Sequence, residues 1–381
     1  MRICLYTGTA LPRLGGQESA VDALARQFLK LGHEPIVLAP YRMFPLTPRD
    51  SSHPYRVLRH LRFFSTRRYV DWYQRFLLNA HRRHQFDVVH CHDIYPTGYL
   101  AALNRSKLHL PVVMTSHGGD VRPGSPRLNK QGLRQRYVTA VKSADALISI
   151  GRFTHDGFVQ LGADPLKIKP IPNGVDLTQF DLHATRPPEI DSSISAGAYL
   201  LFLGRLTRRK GVDVLLDALA TLPASGGTEL VIAGTGDERA NIQHRIASMQ
   251  LQSRVKMVGR VSGETKIWLL QNARCVVVPS RGWEAFPLVV LEAGAAGRAV
   301  IGSRISGLED VIVQNQTGLL VTPESPADLA IALRKVRDEA QWTDQTGKTA
   351  RAHAADYSWN RIAAGHVELY CQLVSERSRR S

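Results

Sequence analysis

Cysteine is scarce in this 381-residue chain, and the four present, Cys4, Cys91, Cys275 and Cys371, stand apart with no CxxC pairing. That excludes a disulfide framework and the usual zinc-ligand spacings, and suits a reducing, cytoplasmic setting. Long apolar runs are missing too: nothing approaches the roughly 20 consecutive apolar residues of a bilayer-spanning helix. The opening residues, Met1-Arg-Ile-Cys-Leu-Tyr-Thr-Gly8, lack the apolar stretch and cleavage site of a secretory leader and read as a first strand. Acidic residues are few, 33 against 49 Lys and Arg, for a formal charge of +16. Such a balance attracts anions, whether nucleic acid, an anionic membrane or an anionic substrate. No helix-turn-helix, zinc-finger or RNA-recognition signature accompanies it, so nucleic acid is not an expected partner.

What is present is an alternation of apolar strand, turn and amphipathic helix, the pattern of parallel α/β layers. In the first half, strands are expected at 2–7, 35–39, 87–90, 111–115, 146–150 and 167–171, with a Gly-rich loop to Gly16 and a helix over 17–31 closed by Gly32. At 181–198 the paired prolines and serines break the periodicity and read as an interdomain linker. A second series follows, with strands at 199–203, 230–233, 255–258, 275–278, 299–302 and 319–321. The expected organisation is a first α/β domain over 1–180, a second over 199–358, and a tail helix from 359 to about 374. Open sheets of this kind bind ligands beyond the carboxyl ends of their strands.

The richest segment is Ser280-Arg-Gly-Trp-Glu-Ala-Phe-Pro-Leu-Val-Val-Leu-Glu-Ala-Gly-Ala-Ala-Gly297. Pro287 suits the first turn of a helix and Gly297 its left-handed end. Glu284 then hangs in the loop at the helix mouth, and Glu292 lies roughly 7.5 Å along the axis. Free amides at such a mouth offer donors to a sugar or phosphate, and carboxylates grip hydroxyls. Taken alone, the pair reads more readily as a surface glutamate and a helix glutamate.

The segment resembles the signature of the family 4 retaining glycosyltransferases, with Ala285 where that family usually has Gly. Further matches follow in order: Gly15-Gly16, Ser116-His-Gly-Gly-Asp120, Ile171-Pro-Asn-Gly-Val-Asp176, Gly204-Arg-Leu-Thr-Arg-Arg-Lys-Gly211, Ala233-Gly-Thr-Gly236 and Thr317-Gly-Leu-Leu-Val321. The resemblance spans almost the whole chain and implies the GT-B arrangement, two Rossmann-like domains facing each other across a cleft. It also implies that the tail helix, 359–381 with its frayed end, crosses back onto the first domain.

The resemblance distributes the roles. Glu284 would hold the transferred sugar and Glu292 the ribose diol, with the amides of Ala285 and Phe286 toward sugar or phosphate. Arg205 and Lys210 would grip the donor diphosphate, a guanidinium bidentately and an ammonium as a point charge. Stabilising the leaving diphosphate in this way is electrostatic catalysis that dispenses with a metal. The same two cations must offset the repulsion between two carboxylates and a diphosphate, so the four residues are expected to act as one unit. Gly16 would contact donor phosphate or sugar; Gly236 and Arg260 would frame the nucleotide base. His117 is the first-domain catalytic candidate, orienting and stabilising rather than acting as an obligate base, and Asp120 is expected at the acceptor or the donor sugar. His90 and His92 share one strand face; no further ligand set completes a metal site, and lining the acceptor cleft is the favoured role for His92. At Ser306-Gly-Leu-Glu-Asp310 the chain departs from the family's Gly-Gly-x-Pro-Glu.

The basic excess concentrates between Tyr55 and Phe86, with eight arginines against the single acid Asp71. Tyr69, Trp72, Tyr73, Phe76, Leu77 and Ala80 form a helical apolar stripe, and Arg68, Arg75 and Arg82 another face. Such a helix either lies on anionic lipid or packs on its own domain. The expected activity is retaining transfer from a nucleotide-sugar donor to a glycan or lipid-linked acceptor, in cell-surface polysaccharide, lipopolysaccharide or glycolipid synthesis. The expected location is cytoplasmic, with peripheral contact to the inner face of the membrane, and neither cofactor nor metal is expected. A nucleotide-sugar 2-epimerase of similar architecture is the alternative; a glycosidase leaves Arg205 and Lys210 without a use.

Overall fold

The computed structural model describes residues 1–9, 11, 15–41, 53–61, 70–122, 124–224 and 229–379. The chain divides into two compact units, Met1–Asn173 together with Trp359–Ser381, and Gly174–Ser358.

The first unit is built on seven strands: β1 (Arg2–Tyr6), β2 (Glu34–Tyr41), β3 (Arg56–Leu61), β4 (Val88–Cys91), β5 (Val112–Thr115), β6 (Ala146–Ser149) and β7 (Ile168–Pro170). They form one parallel sheet in the order β3-β2-β1-β4-β5-β6-β7. Successive side chains of a strand point to opposite faces, so near-continuous apolar strands feed two cores. Cys4, Tyr6, Ile36, Leu38 and Cys91 enter one. Ile3, Leu5, Val37 and Ala39 enter the other, where helix Gly16–Lys30 and the terminal helix Trp359–Ser378 meet through Ala20, Val21, Leu24 and Phe28 and through Ile362, Ala363 and Tyr370. Each large side chain buried this way contributes about 1.5–3 kcal/mol.

The second unit repeats the plan with β8 (Leu200–Leu203), β9 (Leu230–Ala233), β10 (Val255–Gly259), β11 (Cys275–Val278), β12 (Ala299–Ser303) and β13 (Gly318–Val321), parallel in the order β10-β9-β8-β11-β12-β13. Residues 181–198, expected as a linker, belong to this unit. Ile190 and Ile194 are buried there, Arg186 lies over the Trp268 ring, and Gln271 hydrogen bonds the backbone of Phe180, Leu182 and Ala184. The irregular text hides two isoleucines that anchor it.

The basic segment holds one strand that the sequence reading did not expect, and a helix for which that reading left two orientations open. Arg56 and Arg59 lie on β3, which among the described residues is an edge strand paired only with β2; Arg56 is exposed and Arg59 donates to the Pro40 and Leu11 carbonyls. Helix Val70–His84 does exist, but its stripe faces inward: Tyr73, Leu77 and Ala80 are buried in the core, and Trp72 and Phe76 pack against it. Arg75, Arg82 and Arg83 are exposed, whereas Arg62, Arg67, Arg68 and Tyr69 lie outside the described residues. No helix of the described residues is long and apolar enough to cross a membrane.

Candidate active site

In each sheet the strand order reverses once, between β1 and β4 in the first unit and between β8 and β11 in the second. Connections leave in opposite directions at such a point and open a crevice at the carboxyl ends of the two strands. Gly15-Gly16 and His92 lie on the loops after β1 and β4, and Arg205, Lys210 and Glu284 on those after β8 and β11; Ser116–Asp120 follows the neighbouring strand β5.

In the second unit, the loop after β11 delivers Glu284 and the loop after β8 delivers Lys210. Glu284 Oε1 accepts hydrogen bonds from Ser280 Oγ at 2.6 Å, Lys210 Nζ at 2.7 Å and Arg209 Nη1 at 2.9 Å. Among the described residues no protein donor meets Oε2. Burial pushes the Glu284 carboxyl up, but the charges of Lys210 and Arg209, with the Ser280 hydroxyl, outweigh it and hold the carboxyl below its ordinary value. Lys210 is drawn below its ordinary value by burial first, with the guanidiniums of Arg209 and Arg205 adding to that against the pull of Glu284. Arg209 also donates to the Trp283 carbonyl at 2.6 Å and lies 4.6 Å from the Trp283 ring centroid. The backbone of Glu284 is held as firmly as its side chain, since its N–H donates to the Ser306 carbonyl. Gly307 passes so close behind that a Cβ there would sit 1.9 Å from the Glu284 carbonyl oxygen. That approach, at φ +86, is what the Ser306-Gly307 loop provides.

Ala285 and Phe286 follow, both buried, and their amides have no protein acceptor among the described residues. Helix Leu288–Ala295 begins one residue later than the proline suggested, with Pro287 as its cap. Glu292, one turn into that helix, accepts from Lys266 Nζ at 2.6 Å. Arg205 is exposed, and its guanidinium has no protein partner among the described residues. The four residues expected to act as one unit are therefore arranged differently: Lys210 and Glu284 are joined, Glu292 pairs with Lys266, and Arg205 stands open. Gly236 serves the fold, because a Cβ there would lie 2.1 Å from the Leu206 carbonyl oxygen. Arg260 is exposed and lines a pocket of about 450 Å³ with Glu189, Asp191, Lys256 and Met257.

In the first unit, Gly16 is the first residue of its helix, with open space around its α-carbon; residues 12–14 before it lie outside the described set. His117 follows β5 and His92 follows β4. His117 Nε2 and His92 Nδ1 are 3.2 Å apart and share one hydrogen bond. His92 was expected to line the acceptor site, but it is 1% exposed, sealed between His117 and the His90 ring 4.1 Å away. His90 bonds Thr115 Oγ1 at 2.7 Å and the Tyr370 hydroxyl at 2.6 Å. Burial lowers all of these imidazoles, His117 to about 4, so they are neutral near pH 7. Asp120 accepts from the Ile94 N–H at 2.6 Å through Oδ2 and from the Ser116 hydroxyl through Oδ1. Both oxygens thus hold the loops together, and burial raises the carboxyl to about 6. Among the described residues no His, Cys, Asp and Glu cluster is suited to a metal.

Arg209, Ser280 and Lys266 are the polar partners the sequence reading did not name. Arg209 stood in plain view in Arg208-Arg-Lys210, but nothing in that run tells which guanidinium turns toward Glu284.

Residues 191–353 match the family described as Glycosyl transferases group 1, and residues 14–179 match Glycosyltransferase Family 4. D-inositol 3-phosphate glycosyltransferase of Paenarthrobacter aurescens is 32% identical over 311 residues, covering 76% of this chain and 74% of that protein. Phosphatidyl-myo-inositol mannosyltransferase of Mycolicibacterium smegmatis is 29% identical over 97% of this chain and 93% of its own length. Anabaena HepE, solved with UDP-glucose, superposes with a TM-score of 0.80 at 20% identity, covering 98% of this chain and all of that one. The fold is GT-B, and the epimerase alternative is not favoured.

Proposed function

The chain belongs to the family 4 glycosyltransferases, and we propose that it transfers a hexose from a nucleotide-sugar donor to a glycan or lipid-linked acceptor with retention of configuration. The observation that carries the reading is the asymmetry of Glu284: three donors occupy Oε1 while Oε2 meets no protein donor among the described residues, beside the amides of Ala285 and Phe286, which meet no acceptor among them. A carboxylate locked at one oxygen is an acceptor pre-aimed at a hydroxyl group, and unclaimed amides suit phosphate or sugar oxygen. Lys210 and the open Arg205 stabilise the charge that builds on the departing diphosphate. A diphosphate oxygen takes the acceptor's proton as the glycosidic bond forms on the same face. His117 is the first unit's substrate-contacting group and, being neutral, contributes a hydrogen bond rather than a charge.

The test is a panel of nucleotide sugars, UDP-glucose first because HepE holds it, scored by thermal stabilisation and then by transfer. Lys210→Ala should lower turnover at saturating donor, because the charge it meets is larger in the transition state. Unchanged turnover removes Lys210 from the mechanism. Product of inverted configuration, or reversible loss of activity in EDTA, overturns retaining, metal-independent transfer.

Association with an anionic membrane surface is the remaining part of the proposal. The inward stripe of helix Val70–His84 leaves no apolar face to insert, so the contact is electrostatic, through exposed Arg75, Arg82 and Arg83. Binding to phosphatidylglycerol vesicles should weaken with salt, as exposed charges are screened beyond about 10 Å at 0.1 M. It should weaken further in the Arg75→Gln, Arg82→Gln protein. Vesicles ignored at low salt would assign the arginines to a soluble anionic acceptor.

A further inference from the structure

We infer that His92 is a positioning residue: it donates Nδ1–H to His117 Nε2, locking His117 in the tautomer whose own Nδ1–H is offered to substrate as a hydrogen-bond donor. The inference rests on the reading of His117 as a substrate-contacting group and adds which of its nitrogens carries the proton, and why.

Two neutral imidazoles share one hydrogen bond of 3.2 Å, between His92 Nδ1 and His117 Nε2, so only one of those nitrogens carries a hydrogen. Burial keeps both rings neutral, so each has one N–H in total. If His117 were the donor, the hydrogen of His92 would lie on its Nε2. That atom is buried and meets no protein partner among the described residues. An orphaned buried N–H is among the rarest features of folded proteins, and an under-satisfied acceptor is tolerated better. The cheaper arrangement puts the His92 hydrogen on Nδ1, facing His117, and leaves the orphan as a lone pair. His117 Nε2 then accepts, and its own hydrogen is forced onto Nδ1, which no protein group engages among the described residues.

The surroundings hold His92 to this task. Its backbone N–H donates to the Tyr6 carbonyl at 2.8 Å. The His90 ring packs 4.1 Å from its centroid, and His90 is itself fixed at both nitrogens by Thr115 and Tyr370. The chemical consequence is specific: His117 presents a neutral donor, suited to a sugar hydroxyl oxygen or a phosphate oxygen, and is not poised to remove a proton.

The test is long-range proton–nitrogen NMR of the full-length protein labelled with ¹⁵N-histidine, at pH 7.5 and without substrate. His117 should show a protonated Nδ1 and a bare Nε2. In His92→Leu the support is gone, and His117 should revert toward the Nε2–H form that free neutral histidine favours. In His92→Asn the side-chain amide can place an N–H near the former Nδ1 and should restore the wild-type pattern. Turnover should follow the tautomer, falling about tenfold or more in the Leu variant with partial rescue in the Asn variant. A protonated Nε2 on wild-type His117, or a tautomer indifferent to His92→Leu, overturns the inference. The wild-type spectrum decides even if a variant does not fold. The two readings also fail separately: if the tautomer responds as stated while His117→Ala leaves transfer unchanged, the lock stands and the catalytic role of His117 falls.

Discussion

Replacing Glu284 by Gln removes one charge and almost no volume, and the structure requires its consequences to point in opposite directions for stability and for anion binding. In the wild type, one carboxylate oxygen takes hydrogen bonds from Lys210, Arg209 and Ser280. The variant leaves two neighbouring cations without their counter-charge. Breaking a buried ion pair from one side costs about 3–5 kcal/mol. Lys210 and Arg209 retain side-chain exposures of 15% and 25%, which favours the low end, about 3 kcal/mol. At 2–4 °C per kcal/mol for a unit of this size, melting should fall by about 6–12 °C. Anions should gain. A carboxylate and a phosphate charge 4 Å apart repel by about 4 kcal/mol at an effective dielectric of 20. Relief of only a third of that tightens nucleoside diphosphate binding about tenfold. Scanning fluorimetry and calorimetry with UDP, GDP and ADP measure both effects, and transfer should be slower although the nucleotide binds more tightly. A variant that melts with the wild type and binds no diphosphate more tightly would refute the view of Glu284 as the counter-charge of Lys210 and Arg209.

Gly307→Ala should unfold the second unit early, because the new Cβ would collide with the Glu284 carbonyl at a φ of +86. A loss of about 3 kcal/mol or more is expected, read as a lower melting temperature together with loss of donor binding. Arg209→Gln keeps Lys210 on Glu284 but removes one charged hydrogen bond, and should cost about 1.5–3 kcal/mol, with denaturant unfolding as the measure. Stability should fall with acid in a defined window. His366 is lowered by burial from its ordinary 6.5 to about 4, so between those values the unfolded chain holds a proton that the folded chain lacks. Stability then drops as pH falls from 6.5 to 4, by up to about 1.4 kcal/mol per pH unit for this group. His90, His92 and His117 act in the same sense, and Asp120, raised to about 6, in the opposite one. His366→Gln should flatten the measured pH–stability curve by about one proton, and an unchanged slope would deny that His366 is buried uncharged.

The strands of both sheets were legible because parallel strands covered on both faces read as short apolar runs, as in Cys275-Val-Val-Val278. The one strand missed, β3, is an edge, where Arg56-Val-Leu-Arg-His-Leu61 keeps charge because half its backbone faces away from a partner. In residues 181–198 proline and serine hide the two buried isoleucines, Ile190 and Ile194, from a reading of periodicity. That Lys210 and Glu284 meet was legible, since each motif sets its charged residue on a loop that follows one of two adjacent strands. Arg209 was not: three adjacent cations look alike in one dimension, and only the turn of backbone at Arg208–Lys210 decides which one reaches the carboxylate. The apolar stripe of helix Val70–His84 was visible, but its direction was not, because a core-facing stripe and a membrane-facing one share the same periodicity.

The first unit is interrupted in sequence: its last helix, Trp359–Ser378, is separated from the rest by the whole of the second unit. Synthesis runs from the amino terminus, at about 5–20 residues per second, and early segments usually fold first. Here the first unit cannot be complete before the second has been made. Residues 174–358 form a contiguous unit that has its full complement of strands while the first sheet still lacks part of one core. Until the final helix emerges, Phe28 lacks the Tyr370 ring 5.9 Å away, and His90 lacks the Tyr370 hydroxyl that fixes its Nδ1. A ribosome stopped before Trp359 would thus release a protein whose second unit has all its residues and whose histidine cluster is missing its backing. The backing of the histidine cluster is thus tied to a helix that lies, in sequence, beyond the whole of the second unit.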